Sequence, residues 1–358
     1  MKTIIMKTFL AVCIAVLGAS NSAISYAKAG EYRWRIAETW PKDFPIYGEA
    51  VKEFIQLVND MSKGRIVIES HTSDVHKKPL NILELVRDGE YEMGHTASYY
   101  SKGLDLSTLF FTSVPFGMIT SEKEAWFYHG GGVDYMKKVY DKHGIYAFPG
   151  GNSSNQMGGW FKKEIKSPED LKGLKMRLTG LAGDIFSELG AETINLPPGK
   201  LFDALNGGEL EAVEWVGPSM DVGMGFHKIA PFYYTGWHEP GSALIFYINQ
   251  KVFEGLPTDL QYIVTAAMRV TSANMYSKVI HESSIKLHEI LQENSGIAIR
   301  AFPKSVTRLL SKEADKKMNE LLKNDPLAKE IHESMRAYQE KARFWTRISD
   351  QAFLNNGG

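Results

Sequence analysis

Cysteine is nearly missing from this sequence. The single Cys13 lies in an apolar run near the start. If that run is a removable leader, the mature chain has no thiol, which excludes disulfide stapling and cysteine chemistry. A bias of charge is missing too. There are 41 lysines and arginines against 42 acids, a formal charge of −1. Residues 1–27 hold Lys2 and Lys7 and no acid, so losing them brings the charge to −3. So near a balance leaves no electrostatic footprint for nucleic acid. After the first apolar run, no stretch is long and apolar enough to cross a bilayer. Internal repeats and low-complexity tracts are absent. The ten histidines show no metal-ligand spacing, and no nucleophile–base motif occurs.

What is present begins with an export signal. Lys2 and Lys7 flank the entry to Phe9-Leu10-Ala11-Val12-Cys13-Ile14-Ala15-Val16-Leu17, and small residues lead to Ser25-Tyr26-Ala27. The run is too short for a lasting anchor. Cleavage after Ala27 and cleavage after Ala29 both satisfy the small-x-small rule. Val12 is bulky for a lipid-attachment site, and Cys13 lies inside the apolar run, which argues against lipidation. The expected compartment is a bacterial periplasm, and the remaining length suits two domains.

Strand and helix patterns alternate along that length. Positions 33–40 alternate as a strand, and Tyr47, Val51, Phe54, Ile55, Val58 and Met61 follow helical spacing up to Gly64. Strands at 65–69 and 91–95 flank a short helix at 82–86. One helix over about 122–140 and a strand at 145–148 follow. Pro149-Gly150-Gly151-Asn152 reads as an interruption, after which a second series begins. Ser167 is its first helix cap, with Pro168 at the first helical position and Glu169 and Asp170 in the first turn. A strand at 174–178 and a helix at 198–205 lead to a strand that ends at Glu214. Positions 242–249 form a buried strand, 257–294 one uninterrupted helix, and 297–300 a last strand before charged helices. The pattern predicts an α/β fold of βαβ units with largely parallel sheets.

Ala212-Val213-Glu214-Trp215-Val216-Gly217-Pro218 carries a carboxylate and an indole at a strand end. Ligands sit at the carboxyl ends of strands in open α/β sheets. The same segment also reads as an ordinary strand end with a solvated acid. Three more polar residues recur at such joints: Gln156 after the glycine-rich break, Arg177 in an apolar strand, and Glu239 in Gly236-Trp237-His238-Glu239-Pro240-Gly241. A buried arginine needs a partner, and its planar fork suits a carboxylate. That partner is either a ligand or, in a structural salt bridge, Glu214 or another acid. If Glu214 and Glu239 converge to about 4 Å, they repel by roughly 4 kcal/mol at an effective dielectric near 20. One must then take a proton, or a cation must lie between them. A hard cation would also accept the Gln156 amide oxygen. Trp215 supplies an apolar wall, with Trp160, Trp237, Tyr99 and Tyr100 as weaker candidates that serve equally as core residues.

Several motifs together resemble the TRAP-transporter periplasmic solute-binding proteins of the DctP type. They are Phe148-Pro149-Gly150-Gly151-Asn152, Gln156-Met157-Gly158-Gly159-Trp160-Phe161, the run from Ser167 to Arg177, and Glu214-Trp215-Val216-Gly217-Pro218, supported by Gly94-His95-Thr96-Ala97-Ser98 and Val114-Pro115-Phe116-Gly117. More narrowly, they resemble the branch that binds 2-oxo acids through a metal ion. The resemblance implies a two-domain periplasmic-binding-protein-like fold with hinge strands and a long domain-bridging helix, to which 257–294 corresponds. It implies a division into 31–151 plus 242–275, 152–241 plus 276–320, and a C-terminal helical segment at 321–358. It implies Arg177 as the carboxylate-binding arginine. It also implies Gln156, Glu214 and Glu239 as ligands of a sodium or calcium ion, joined by the Trp215 carbonyl. Asn152 and Tyr100 are implied as ligand contacts. His238 and Asn155 depart from the aromatic and the small residue that relatives can carry there.

The implied function is that of a receptor, not an enzyme. It takes a small 2-oxo or 2-hydroxy monocarboxylate, pyruvate-like or lactate-like, and delivers it to a TRAP membrane permease. Some members resemble dimers that exchange a C-terminal helix, for which 337–353 is the available stretch. The alternative is an exported metal-dependent lyase or hydrolase using Glu214 and Glu239. Glu214, Glu239 and a ligand carboxylate against Arg177 sum to −2, which calcium neutralises and sodium halves.

Overall fold

The computed structural model describes residues 30–194, 196, 198–293 and 296–357. The expected export signal at 1–27 lies outside the described residues. Two sheets organise the chain. The first contains β1 (Tyr32–Glu38), β2 (Ile66–His71), β3 (Met93–Thr96), β4 (Ile145–Asn152) and β10 (Ala243–Asn249), in the order β2-β1-β3-β10-β4. The second contains β5 (Gly159–Phe161), β6 (Lys175–Arg177), β7 (Glu192–Ile194), β8 (Ala212–Val213), β9 (Phe232–Tyr234) and β11 (Ala298–Arg300), in the order β11-β9-β5-β8-β6-β7. Both sheets are largely parallel, as the sequence pattern predicts, and each holds one antiparallel strand. β10 runs antiparallel to β3 and β4, and β5 runs antiparallel to β8 and β9. In each case the antiparallel strand is the one that arrives from the other sheet. It enters without the crossover helix that a parallel neighbour requires.

Side chains alternate across these strands and feed two apolar clusters. Ile245 and Tyr247 join one, with Phe127, Met136 and Phe186; Leu244, Phe246 and Ile248 join the other, with Phe54, Trp160 and Leu205. Each cluster therefore coats one face of the sheets. Helix α1 (Tyr47–Met61) buries Val51, Phe54 and Val58, the helical stripe read from the sequence. After α2 (Ile82–Arg87), the helix expected over 122–140 is two helices, α3 (Thr120–His129) and α4 (Gly132–Asp141). The break falls at Gly130-Gly131, where Gly131 takes a left-handed φ of 90°.

The expected interruption at 149–152 is also corrected, because β4 runs on to Asn152 paired with β10. Pro149 is tolerated because β4 is an edge strand and the register shifts opposite it. Gly151 is required for closeness, since a Cβ there would collide with the Met275 sulfur. Met275 belongs to the long helix. Past α5 (Gly180–Glu188), α6 (Leu201–Gly207) and α7 (Pro218–Met224) runs α8 (Thr258–Glu293), with 36 residues. At the helical rise it is about 54 Å long. It packs on α1 and β4 at the first sheet and on α7 beside the second. The chain closes with α9 (Lys304–Leu322) against α5, α10 (Pro326–Ile348) against α3, and α11 (Asp350–Asn355).

Glu38 ends β1 in an awkward state. One of its oxygens accepts a hydrogen bond from Ser70, and Oε2 is buried with no partner. Burial pushes its carboxyl up from an ordinary 4.5 to about 7. A raised folded value means the native state holds the proton longer. Stability is therefore lost as pH rises from about 4.5 to about 7. Glu38→Gln keeps the Ser70 bond and removes the charge. Urea unfolding should find this variant more stable than the parent by on the order of 3 kcal/mol at about pH 8. The gap should fall to about 1 kcal/mol by about pH 5; equal pH slopes in the two proteins would refute the assignment.

Candidate functional site

The carboxyl ends of β1, β3, β6 and β8 meet around one cavity. Trp40 follows β1, Tyr99 and Tyr100 follow β3, Arg177 ends β6, and Glu214 and Trp215 follow β8; all line it. Gln156 and Glu239 come from the two loops that link the sheets, 153–158 and 235–242, and line it as well. Its volume is about 20 Å³, room for a water molecule or an ion.

Register brings the central pair together. β6 and β8 are parallel neighbours with Arg177 opposite Val213, and the Glu214 amide donates to the Arg177 carbonyl at 3.0 Å. Arg177 Nη1 then donates to Glu214 Oε2 at 2.9 Å and also to the Glu214 carbonyl. The Trp215 ring lies against the guanidinium, 4.9 Å from Cζ to its centroid. Arg177 Nε has no partner, and neither does Glu214 Oε1. The salt bridge weighed from the sequence thus exists, yet each partner keeps an unused polar atom in a buried place.

His238 and Glu239 complete the charge cluster. His238 Nε2 stands 3.4 Å from Glu214 Oε1, within ion-pair reach but too poorly aimed for a hydrogen bond. Burial pulls the imidazole pKa down, but the nearness and charge of Glu214, with Glu239 behind it, outweigh burial and raise it. Burial raises the Glu239 carboxyl, and Glu214 adds to the rise; His238, Ser242 and Arg177 only partly oppose it. Ser242 Oγ donates to Glu239 Oε2 at 2.5 Å, and the Gln156 amide N–H donates to the Glu239 carbonyl at 2.9 Å. Gln156 Nε2 donates to Ser153 Oγ at 2.9 Å, which leaves its Oε1 as the free acceptor. Two acids, one of them with an unsatisfied Oε1, and an amide oxygen around one cavity form a donor set that fits a hard cation. Among the described residues, no group of three or more His, Cys, Asp or Glu is gathered for a metal. The expected set never required one, since it draws on two acids, an amide and a carbonyl.

Several supports escaped the sequence reading. Trp40 donates its indole N–H to His95 Nδ1 at 2.8 Å, and His95 Nε2 reaches the Gly150 carbonyl at 3.0 Å. The indole is only a donor, so His95 carries its proton on Nε2. Burial pushes its pKa down to about 4, so it stays neutral at pH 7. Asp221 is the other missed residue. Its Oδ1 accepts from Val216 N and Gly217 N at 3.1 and 3.0 Å, and its Oδ2 from Trp160 Nε1 and Tyr233 Oη at 3.1 and 2.9 Å. It pins the turn that follows Trp215. The usable signal was an acid four residues beyond Gly217, one helical turn into α7.

Three expected residues and one departure lie elsewhere. Asn152 does not line the cavity; Thr120 and the Ser154 amide occupy its Oδ1 at 3.0 and 2.8 Å, while its buried Nδ2 has no hydrogen-bond partner. Trp160 stacks on Tyr233 in the core, and Trp237 packs between Phe116 and Phe186. Asn155 is exposed.

Comparison with known proteins decides the family. The sequence profile of DctP, "Bacterial extracellular solute-binding protein, family 7", matches residues 36–325. The monocarboxylate 2-oxoacid-binding periplasmic protein of Nostoc sp. is 34% identical over 347 residues, which are 95% of this chain and 94% of the relative. The chain belongs to the DctP family. This DctP-family protein is similar to a TRAP periplasmic solute-binding protein from Colwellia psychrerythraea, crystallised with calcium and pyruvate. The two are 51% identical with a TM-score of 0.89, over 92% of this chain and all of that one (100%). A counterpart from Pseudoalteromonas atlantica, with sodium and pyruvate, is 48% identical with a TM-score of 0.89 over 92% of this chain and 100% of its own. The DctP-family protein shares their two-domain periplasmic-binding fold. It is a solute-binding protein of transport and not an enzyme, so the lyase or hydrolase alternative is set aside.

Asp221 offers a direct test of how the site is held. Asp221→Ala strands four donors and should cost on the order of 3 kcal/mol in urea unfolding. Asp221→Asn, which still accepts from the two amides, should cost less. Equal losses would show that the amide contacts do not hold the turn.

Proposed function

We propose that this protein is the periplasmic receptor of a TRAP transporter for a small 2-oxo or 2-hydroxy monocarboxylate, pyruvate-like or lactate-like, held by a cation and Arg177. The observation that carries this reading is the unpartnered Glu214 Oε1, buried beside a second acid, a free amide oxygen and a buried arginine in one cavity. Gln156, Glu214, Glu239 and the Trp215 carbonyl would hold sodium or calcium. Bound there, the cation would offset the like charges and offer coordination sites to the ligand's oxygens. Arg177 would turn its remaining N–H groups to the ligand carboxylate, with Trp215 and Tyr100 as walls. The calcium and sodium pyruvate complexes of the two similar proteins support this assignment.

A cavity of about 20 Å³ is too small for pyruvate, so entry requires the loops from the two sheets to part. We assign the moving bodies as 31–151 plus 242–275 and 152–241 plus 276–320, with 321–358 as a C-terminal helical segment. An export signal at 1–27 would bring the receptor to the periplasm, and a membrane permease would receive the ligand. Titration calorimetry with pyruvate, lactate, other 2-oxo acids and dicarboxylates, with and without sodium or calcium, tests the reading. Pyruvate should bind only with a cation present. No binding of any monocarboxylate under either condition would sink the proposal. Arg177→Lys keeps a charge beside Glu214 but loses the planar fork, so pyruvate affinity should fall at least about tenfold.

The C-terminal helices point to self-association. Phe344, Trp345 and Ile348 on α10 and Phe353 and Leu354 on α11 are exposed, Phe353 by 76%. Such a patch marks an interaction surface, and we assign it to a homodimer in which the patch meets its copy. Arg343 anchors α10 to Glu122 on its own chain's α3, which keeps the 337–353 stretch at home and not exchanged. Sedimentation should find dimers that Trp345→Asp with Phe353→Asp converts to monomers. A monomeric parent at tens of micromolar would refute the assignment.

A further inference from the structure

The loop that carries Glu239 is seated from outside the cavity. Phe116 donates its N–H to the Trp237 carbonyl at 3.0 Å, and its ring packs on Trp237 at 5.6 Å between centroids. Further along the same loop, a Cβ at Gly241 would lie 2.8 Å from Thr120 N and 2.9 Å from the Met118 carbonyl oxygen. On its inner side, a Cβ at Gly236 would collide with the Gln156 carbonyl oxygen. Residues 236–241 are therefore wedged between Gln156 and the segment 116–120. Where that segment sits decides where Glu239 sits.

The segment is held in turn by α10. Gln339 Nε2 donates to the Phe116 carbonyl at 2.9 Å, and Arg343 Nη2 donates to the Gly117 carbonyl at 2.8 Å. Arg343 also forks onto Glu122, Nε to Oε1 at 2.7 Å and Nη2 to Oε2 at 2.8 Å. Thr346 Oγ1 donates to Glu122 Oε1 at 3.0 Å, and Glu122 Oε2 accepts from the Ile119 amide at 3.1 Å. Glu122 is buried, so this fork is a fixed anchor and not a loose surface pair. Phe116 itself has a left-handed φ of 57°, which a side-chain-bearing residue keeps only when its surroundings enforce it. Its N–H is tied to the Glu239 loop and its carbonyl to α10. Close packing does not do this holding, because a cavity of about 90 Å³ separates the segment from α9 and α10, lined by Val114, Phe116, Met318, Met335 and Gln339.

We infer that Gln339 and Arg343 are positioning residues for Glu239, so that the C-terminal helix sets cation and ligand affinity through Phe116 without touching the cavity. The inference rests on the receptor reading only for the identity of the ligand. The chemistry is a coupling between a helix and a site. Anything that lifts α10 frees Phe116 to leave its strained conformation and loosens the Glu239 loop.

Gln339→Ala removes one hydrogen bond from a partly buried side chain and should fold. In the full mature chain, calcium and pyruvate affinities by calorimetry should fall about fivefold to tenfold in Gln339→Ala, and further in Arg343→Ala. Arg343→Lys should recover part of the loss. Ile331→Ala, a cavity elsewhere on α10, should lower the melting temperature and leave affinity within about twofold. Hydrogen exchange of the 236–241 amides in the ligand-free protein should quicken in Gln339→Ala and not in Ile331→Ala. That readout needs no ligand, so quickened exchange in a protein that binds no pyruvate would spare the positioning role and overturn only the receptor reading. Unchanged exchange and affinity in both Gln339→Ala and Arg343→Ala would overturn the inference. So would an affinity loss that tracks melting temperature equally in Ile331→Ala.

Discussion

A carboxylate taken out of water must be met by charge or by hydrogen-bond donors, and the Glu214 carboxylate is met by both only in part. Arg177 satisfies one of its oxygens, and His238 stands within ion-pair reach of the other without bonding it. A second acid, Glu239, is buried beside them. Such a cluster is costly to bury and is tolerable when opposite charge completes it. The rest of the site follows from that constraint. The β6–β8 register puts Arg177 next to Glu214, Trp215 covers the guanidinium, and the 236–241 loop presses Glu239 into the same space.

Asp221 shows the contrasting way to bury an acid. Four donors meet its two oxygens, so nothing about it remains open to a ligand. Burial still raises its carboxyl to about 7, yet it works as a brace for the turn after Trp215. Within the stretch from β8 into α7, then, a saturated acid is structural and an unsaturated one is the candidate for binding. The count of satisfied lone pairs separates them.

Much of this was legible in the chain. The stripe of Val51, Phe54 and Val58 and the unbroken run that became α8 were readable because helical periodicity is local. Gln156, Arg177, Glu214, Trp215, Tyr100 and Glu239 could be singled out because each is a costly or bulky polar residue at a strand end or joint, and all six line one cavity. Asn152 carried the same signal, but its carbonyl is taken by Thr120 and Ser154. His95 and Asp221 gave little signal, since their partners Gly150, Trp40, Trp160 and Tyr233 are distant in sequence.

Sequence alone determined the element types, the charge balance, the absence of thiols from the described chain and the residue chemistry available for a cation and a carboxylate. These depend on composition and on spacing within a few residues. Tertiary structure alone decided that β5 and β10 run antiparallel, that β4 continues through Pro149 and two glycines, and which polar atoms are left without partners. It also decided that a helix some hundred residues beyond Glu239 holds the segment on which the Glu239 loop rests. Those outcomes depend on which distant backbones approach closely enough to exclude a side chain or to share a hydrogen bond, and no local pattern encodes that distance.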